Sequence, residues 1–231
     1  MSIFAELEVC KGAGPRSAAM NMAIDEALLQ TAELPSIRFY RWNSPSLSFG
    51  YFGRFSNVAR YAAERDLVRR WTGGGIVFHG DDLTYSIIIP AHDEMFVQSS
   101  AFIYAAIHSA LCDVLDNLGL RAALVGPTDP DDAGAAVNDR GYNGVCFANP
   151  VRADVLVNGR KVAGAAQRRT RAGLLHQGSI QHVDLTNGLA ERFASELSTN
   201  RVGRKLDDDI LNRAHEIAAR KYETADWLQR R

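Results

Sequence analysis

Three stretches of the chain place apolar residues at helical spacing. SAAMNMAIDEALLQTA repeats them every three or four positions, and Ser17 precedes this pattern as a candidate N-cap. Residues 98–118 carry the longest pattern, with one broad apolar face. After Asn187 the pattern is helical nearly to the end, and three acidic residues at 207–209 suit a helix start. We therefore predict helices over these stretches.

Short runs of β-forming residues lie between the helical stretches. IRFYRW and SLSFGYF flank the turn signal NSP, which predicts a pair of strands. TGGGIVFHGDDLTYSIIIP predicts two further strands joined at Asp81 and Asp82, and Asn158-Gly159 predicts a hairpin before the strand in LLHQGSIQHVDL. Strands and helices do not follow regular βαβ units, so we predict an α+β fold with mostly antiparallel sheets.

Composition narrows the class of protein. The 231 residues are 46% hydrophobic, enough for one large domain or two small ones. A net charge of −1 supplies no general attraction to nucleic acid or to an acidic membrane surface. The cysteines number three, which suits a reducing cytoplasm, and no apolar run is long enough to span a membrane. We expect a cytoplasmic protein that binds neither nucleic acid nor membranes.

The motif RRWTGGGIVFHG is the first candidate for a binding site. Consecutive glycines let the backbone approach a ligand closely, and Arg69 and Arg70 are able to pair with a phosphate or carboxylate. A tight turn with surface arginines is the alternative. His79 and His176 are isolated histidines without HxH, HxxxH or CxxC spacing, so we predict no metal site.

Lys161 and Cys146 are the candidates for covalent chemistry. Lys161 precedes VAGAA, whose small residues leave room for an elongated ligand beside an ammonium that offers positive charge to a carbonyl or phosphate oxygen. Cys146 follows a Gly- and Asp-rich loop at 126–144, and nearby positive charge from Lys161 or His79 would activate its thiol. The alternatives are a solvated strand lysine and a small buried cysteine.

Five segments, in order, resemble the catalytic domain of the biotin/lipoate attachment family. These are NMAIDEALL, RFYRWNSPSLSFGYF, RRWTGGGIVFHGDDLTYS, NGRKVAGAAQRR and LLHQGSI. Within the family the chain is most similar to lipoate–protein ligases and octanoyltransferases. The resemblance implies one larger and one smaller β-sheet packed with helices. It also implies a single catalytic domain over residues 1–231, with no accessory domain.

The resemblance also implies a set of site residues. Lys161 matches the lysine that contacts the reacting carbonyl and any phosphate. By the resemblance, the residues that match the family's motifs line the acyl or acyl-adenylate pocket. They are Arg70, Gly73, Gly74, Gly75, His79, Gly164, Ala165, Ala166, His176 and Gly178. Ala165 stands where many relatives have serine, which removes one hydroxyl contact.

Two chemistries occur in this family. A transferase takes an octanoyl group from acyl carrier protein through a cysteine thioester, here on Cys146, and needs no cofactor. A ligase activates free lipoate or octanoate with ATP and Mg and needs no cysteine. In both, the acceptor is a lysine of a lipoyl carrier domain of a 2-oxoacid dehydrogenase or of the glycine-cleavage H protein.

The motifs favour the transferase. CF followed by GRKVAG, and HGDDLTYS, both resemble the transferase versions, and the chain leaves no room for the accessory domain of many ligases. We therefore predict acyl transfer through Cys146, assisted by Lys161. The ligase reaction is the alternative. A non-catalytic relative that binds lipoyl domains or acyl groups is a third possibility.

Overall fold

The computed structural model describes residues 2–11, 14–126 and 150–230. Its strands and helices agree with the predicted α+β class. The strands are β1 Leu7–Lys11, β2 Ser36–Tyr40, β3 Ser46–Phe49, β4 Asp66–Arg69, β5 Ile76–His79, β6 Leu83–Pro90, β7 Ala122–Leu124, β8 Val155–Val157, β9 Arg160–Arg169, β10 Gly173–Ile180 and β11 Arg201–Lys205. The α-helices are α1 Ala18–Gln30, α2 Ser100–Asn117, α3 Leu189–Leu197, α4 Asp208–Ile217 and α5 Ala225–Leu228.

The larger sheet is covered by helices on both faces. Its strand order is β11-β1-β2-β6-β10-β9-β8-β7, antiparallel from β2 onward and parallel where β1 meets β2 and β11. Strand β6 is buried along its whole length. Because side chains alternate along a strand, Ile87 and Ile89 pack with α2 and α3, while Ile88 packs with α1 and α4.

The smaller sheet has the order β4-β3-β5 around Leu47, Phe49 and Val58. This arrangement corrects one prediction, because β2 and β3 do not pair with each other. Strand β2 pairs with β1 and β6 in the larger sheet, whereas β3 pairs with β4 and β5. The NSP segment between them therefore connects the two sheets. Short β-rich runs indicate strands but do not specify their partners.

A second correction concerns the segment after Asn187. Helices α3 and α4 are confirmed, and Asp207 caps α4 by accepting a hydrogen bond from the Ile210 N–H. Between them lies β11, which pairs in parallel with β1 at the edge of the larger sheet. Strand β11 is mostly exposed, so it has no buried face to produce an alternating pattern.

Three other local predictions are confirmed, whereas the predicted loop at 126–144 lies outside the described residues except for Gly126. Ser17 caps α1 by accepting a hydrogen bond from the Met20 N–H. Helix α2 lies within the predicted 98–118 stretch. Asn158 and Gly159 join β8 to β9 with φ of 50° and 76°, the pair of positive values that a tight hairpin turn needs. In the part of the chain that the structure describes, no helix is long and apolar enough to cross a bilayer.

A buried polar cluster fixes α1 to the larger sheet. The Asp25 carboxylate on α1 accepts hydrogen bonds from Arg38 at 2.8 Å, Ser86 at 2.7 Å and Gln177 at 2.8 Å. Buried carboxylates are stable when paired and hydrogen-bonded in this way. The cluster lies beneath the pocket described next, which Gln177 also lines.

Candidate active site

A small pocket lies between the smaller sheet and strands β9 and β10 of the larger one. Seven of the residues implied by the resemblance line it: Arg70, Gly74, His79, Gly164, Ala165, Ala166 and Gly178. Trp42, Ser48 and Val77 line it too, and we did not single them out in the sequence. Gly73 and Gly75 lie in the same loop as Gly74. The two sheets thus bring together motifs that are far apart in sequence.

The glycine loop is folded around the Arg70 guanidinium. Arg70 donates hydrogen bonds to the Gly73 carbonyl at 2.9 Å, to the Gly75 carbonyl at 2.8 Å and to Ser48 Oγ at 2.7 Å. Gly74 has φ of +84°, a conformation that residues with a side chain rarely adopt. The consecutive glycines therefore allow a tight loop that holds the arginine.

The glycine loop also requires a residue without a side chain at Gly50, which we did not infer from the sequence. A Cβ added at Gly50 would lie 2.1 Å from the Gly74 carbonyl oxygen. The chain after β3 and the glycine loop thus pass so closely that no side chain fits between them. The glycine within the strand pattern SLSFGYF is the sequence feature that indicates such a close approach of two backbone segments.

Arg69 does not have the role that the sequence suggested for it. It is 1% exposed, and it donates to backbone carbonyls of Tyr51 at 2.8 Å, Gly53 at 2.6 Å and Arg230 at 2.7 Å. Further bonds reach the carbonyls of Trp227 and Leu228. A guanidinium occupied in this way holds the C-terminal segment against the loop at 51–53. It is not placed to pair with a phosphate.

His79 lies between a hydroxyl and a carboxylate. Its Nε2 is 2.7 Å from Ser48 Oγ, and its Nδ1 is 2.8 Å from Asp82 Oδ2. The ring stacks on Trp42 at 4.0 Å between centroids. Burial lowers the pKa of His79, so the imidazole is neutral near pH 7.

Asp82 anchors this arrangement, although we assigned it only to a turn. Burial alone would raise the pKa of its carboxyl, but hydrogen bonds from His79, Ser179 and Thr84 hold that pKa below its usual value. Both hydroxyls donate to Oδ2, Thr84 at 2.8 Å and Ser179 at 2.7 Å. An ionised Asp82 accepts the Nδ1–H of His79, which leaves Nε2 as an acceptor for the Ser48 hydroxyl.

Lys161 lies on β9, buried against Asp154. The two side chains are 2.7 Å apart between Nζ and Oδ2, and Lys161 is 3% exposed. The Tyr104 hydroxyl donates to Asp154 Oδ1 at 2.6 Å and accepts from the Ala165 N–H at 3.0 Å. Asp154 and Tyr104 gave no signal in the sequence, because nothing local relates them to Lys161.

The small residues after Lys161 divide into two roles. A Cβ at Gly164 would lie 2.6 Å from Lys161 Cε, so this glycine makes room for the lysine itself. Ala165 and Ala166 line the pocket. The predicted space for an elongated ligand is therefore lined by the two alanines, whereas Gly164 leaves room for the Lys161 side chain.

His176 lies behind the pocket and is not one of its lining residues. It is fully buried and belongs to a hydrogen-bonded series. His108 Nδ1 donates to the Ala153 carbonyl at 2.6 Å, its Nε2 lies 3.1 Å from the Tyr85 hydroxyl, and that hydroxyl lies 3.3 Å from His176 Nε2. Burial lowers the pKa of His108 to about 4 and that of His176 well below the usual value. Both imidazoles are neutral at pH 7.

Gly178 explains how Tyr85 fits into this series. A Cβ at Gly178 would lie 2.2 Å from Tyr85 Cζ, so the glycine leaves space for the ring across paired strands β10 and β6. Gly178 therefore forms part of the pocket wall and also leaves room for the Tyr85 ring behind it.

Cys146 lies outside the described residues. Of the cysteines that the structure describes, Cys10 and Cys112 are both buried. Burial raises the pKa of the Cys10 thiol to about 11 and that of Cys112 to about 12. Thiols with such pKa values are almost wholly protonated at pH 7 and are poor nucleophiles. Within the described ranges, no group of His, Cys, Asp or Glu is arranged to hold a metal ion.

Sequence comparisons place this site in a family. A profile described as the lipoyl protein ligase A/B catalytic domain matches residues 17–197. The octanoyltransferase LipM of Oceanobacillus iheyensis is 37% identical over 174 residues, which cover 72% of this chain and 60% of that protein. The chain thus spans less than two thirds of the length of that relative. LipM of Anoxybacillus flavithermus is 31% identical, covering 93% of this chain and 95% of that protein.

Solved structures share the fold. A bi-partite lipoate protein ligase from Thermoplasma acidophilum has a TM-score of 0.73 at 19% identity, covering 98% of this chain and 96% of that one. Lipoate-protein ligase A bound with ATP has a TM-score of 0.72 at 20% identity, with 99% of each chain covered. At these identities the likeness shows the fold alone. Together with the profile match and the sequence relatives, it leads to one conclusion: the chain belongs to the lipoyl protein ligase A/B catalytic domain family.

Proposed function

We propose that this protein is an octanoyl- or lipoyltransferase of protein lipoylation, which moves the acyl group to a lysine of a lipoyl carrier domain in the cytoplasm. The observation that carries the proposal is the similarity to octanoyltransferases over most of the chain. The pocket supports it with apolar walls from Ala165, Ala166 and Val77. Each methylene buried there contributes about 0.8 kcal/mol, so these walls favour binding of an apolar acyl chain.

The proposed reaction proceeds in two exchanges at the acyl carbon. The Cys146 thiolate attacks the thioester of octanoyl-acyl carrier protein, a new C–S bond forms, and the carrier's thiolate leaves. The amine of the lipoyl-domain lysine then attacks the Cys146 thioester. It forms an amide and loses a proton, while the Cys146 thiolate leaves. No nucleotide is consumed.

Lys161 supplies positive charge to the oxyanion that forms in both steps. The ion pair with Asp154 and the bond from Tyr104 fix the lysine side chain before substrate arrives, which is what electrostatic stabilisation of a transition state requires. Removal of one such donor reduces kcat by roughly 10²–10³-fold in well-studied hydrolases. We expect a loss of this size for Lys161→Ala.

The intact mass of the protein after incubation with octanoyl-acyl carrier protein, without ATP, tests the proposal. We expect one octanoyl adduct that hydroxylamine removes and that is absent from Cys146→Ser. Cys112→Ser is the matched control and should keep the adduct, because the Cys112 thiol is buried and protonated. An adduct that persists in Cys146→Ser would disprove the thioester on that residue.

The ligase reaction is the second candidate, because the fold also matches a lipoate-protein ligase bound with ATP. In that case Lys161 contacts the phosphate of an acyl-adenylate, with ATP and Mg as co-substrates. Acylation of a lipoyl domain from free lipoate, only when ATP is added and with no adduct on Cys146, would establish it. The lipoyl domain is the natural probe, since the Thermoplasma acidophilum ligase was studied with its E2 lipoyl domain.

A further inference from the structure

Three side chains of the pocket contact one another in the order hydroxyl, imidazole, carboxylate. Ser48 Oγ is 2.7 Å from His79 Nε2, and His79 Nδ1 is 2.8 Å from Asp82 Oδ2. This geometry is that of a serine nucleophile, its general base and the carboxylate that orients the base. Such triads occur on unrelated folds and are identified by geometry and not by order along the chain.

The protonation states suit the same roles. The ionised Asp82 accepts the Nδ1–H of His79, and it also accepts hydrogen bonds from Thr84, Ser179 and the Gly80 N–H. The Nε2 lone pair therefore points at the Ser48 hydroxyl. A neutral imidazole in this tautomer is able to take the hydroxyl proton when Ser48 attacks.

Arg70 adds a fixed positive charge beside the nucleophile. Its Nη1 donates to Ser48 Oγ at 2.7 Å, and the carbonyls of Gly73 and Gly75 hold the guanidinium in place. A positive donor at this distance stabilises negative charge that develops on or next to the serine oxygen. Ser48 is closed to bulk solvent and lines the pocket, so its access to a substrate is through the pocket.

We propose that Ser48, His79 and Asp82 form a second acyl-accepting centre, which gives the protein a hydrolase activity toward medium-chain thioesters and esters. Ser48 Oγ forms a bond to the acyl carbon, its proton moves to His79 Nε2, and the thiolate leaves with that proton as a thiol. Water then attacks the serine ester with His79 as base again. The carboxylic acid leaves, and Ser48 regains its proton.

An alkyl fluorophosphonate tests the reactivity of Ser48 on the full chain. We expect a single phosphonyl adduct, with loss of fluoride, that peptide mapping places on Ser48. Asp82→Asn should slow the labelling by roughly 10⁴-fold, as the same change to the orienting carboxylate does in a serine protease. An adduct at any other residue, or labelling unchanged by Asp82→Asn, overturns the proposal.

Ser46→Ala is the matched control. Ser46 lies on the same strand, opposite His79, and is equally buried, but its hydroxyl donates to the Ser44 carbonyl at 2.8 Å and not to the imidazole. Labelling should proceed at the unaltered rate in Ser46→Ala and be absent from Ser48→Ala. Thermal unfolding of each variant shows that it is folded, and labelling of the unaltered chain tests the proposal without any variant. Loss of labelling in Ser46→Ala equal to that in Ser48→Ala contradicts it.

Octanoate release from octanoyl-acyl carrier protein tests the hydrolysis. The choice of this substrate rests on the proposed function, which assigns the pocket to an acyl chain, whereas the fluorophosphonate test does not. We expect Cys146→Ala to release octanoate and Cys146→Ala with Ser48→Ala to release none. No octanoate from either protein refutes the hydrolase activity. Acylation of a lipoyl domain by the unaltered chain, measured in parallel, tests the proposed transferase separately.

Discussion

The two sheets that flank the pocket each hold a buried cation, in different ways. On the larger sheet, Lys161 is paired with a carboxylate, Asp154, at 2.7 Å. On the smaller sheet, Arg70 is held by the carbonyls of Gly73 and Gly75 and by the Ser48 hydroxyl. An ion pair is sensitive to loss of either charge, whereas hydrogen bonds to carbonyls and a hydroxyl are lost one at a time. The difference predicts how each side responds to mutation.

The largest effect should come from breaking the ion pair. Asp154→Ala leaves the Lys161 charge buried without its carboxylate, so we expect the free energy of unfolding to fall by about 3–5 kcal/mol. Glu216→Ala is the control, because it removes the exposed Arg213–Glu216 pair, for which we expect a loss of less than about 1 kcal/mol. Urea unfolding of both variants measures the difference. Equal losses would contradict the contrast between the sites.

The next largest effect should come from acid, which should lower the free energy of unfolding. The pKa of His108 is lowered to about 4, from an ordinary value of 6.5, because its burial disfavours the charged form. The unfolded chain therefore binds more protons than the folded one between these values, so stability is lost as pH falls from about 6.5 toward about 4. His108 alone accounts for about 3 kcal/mol at about 1.4 kcal/mol per pKa unit. His176 adds to the loss in the same direction.

Urea unfolding at a series of pH values measures this dependence. His108→Gln removes one titrating imidazole, so its profile should be flatter than that of the unaltered chain. The same slope in both proteins would show that His108 is not the group responsible.

One added methyl group should affect the two sides differently. At Gly50 the new Cβ meets the Gly74 carbonyl at 2.1 Å, and backbone does not yield easily, so Gly50→Ala should destabilise the fold by about 1–3 kcal/mol. At Gly164 the new Cβ meets the flexible end of Lys161, so Gly164→Ala should mainly reduce acyl transfer by displacing Nζ. Transfer rates and urea unfolding of both variants separate the effects. Gly80→Ala is the control, since nothing lies within 4 Å of its Cβ.

The smallest effect should come from one donor to Asp82. Ser179→Ala removes the hydrogen bond at 2.7 Å but leaves those of Thr84 and His79, so we expect a loss of about 1 kcal/mol of unfolding free energy. Fluorophosphonate labelling of Ser48 should slow much less than in Asp82→Asn. Equal slowing in the two variants would mean that Ser179, and not the carboxylate charge, orients His79.

Local structure and much of the pocket wall follow from the amino-acid sequence alone. The period of apolar residues specifies α1 and α2, and Asn158-Gly159 specifies a turn, because these signals depend only on near neighbours. The family motifs also correctly predict residues that line the pocket, among them Arg70 and His79. These local signals do not predict that β2 and β3 lie in different sheets, because strand pairing joins segments that are distant in sequence.

Which side chains act together depends on the three-dimensional fold. Arg69 and Arg70 are adjacent and alike in sequence, yet one holds the C-terminal segment and the other the glycine loop and Ser48. Asp154 became the partner of Lys161 only because the fold buries the two side chains together. A buried charge is stable only when it is paired with another polar or charged group. The fold determines which group lies within about 3 Å, and local sequence patterns do not specify that distance.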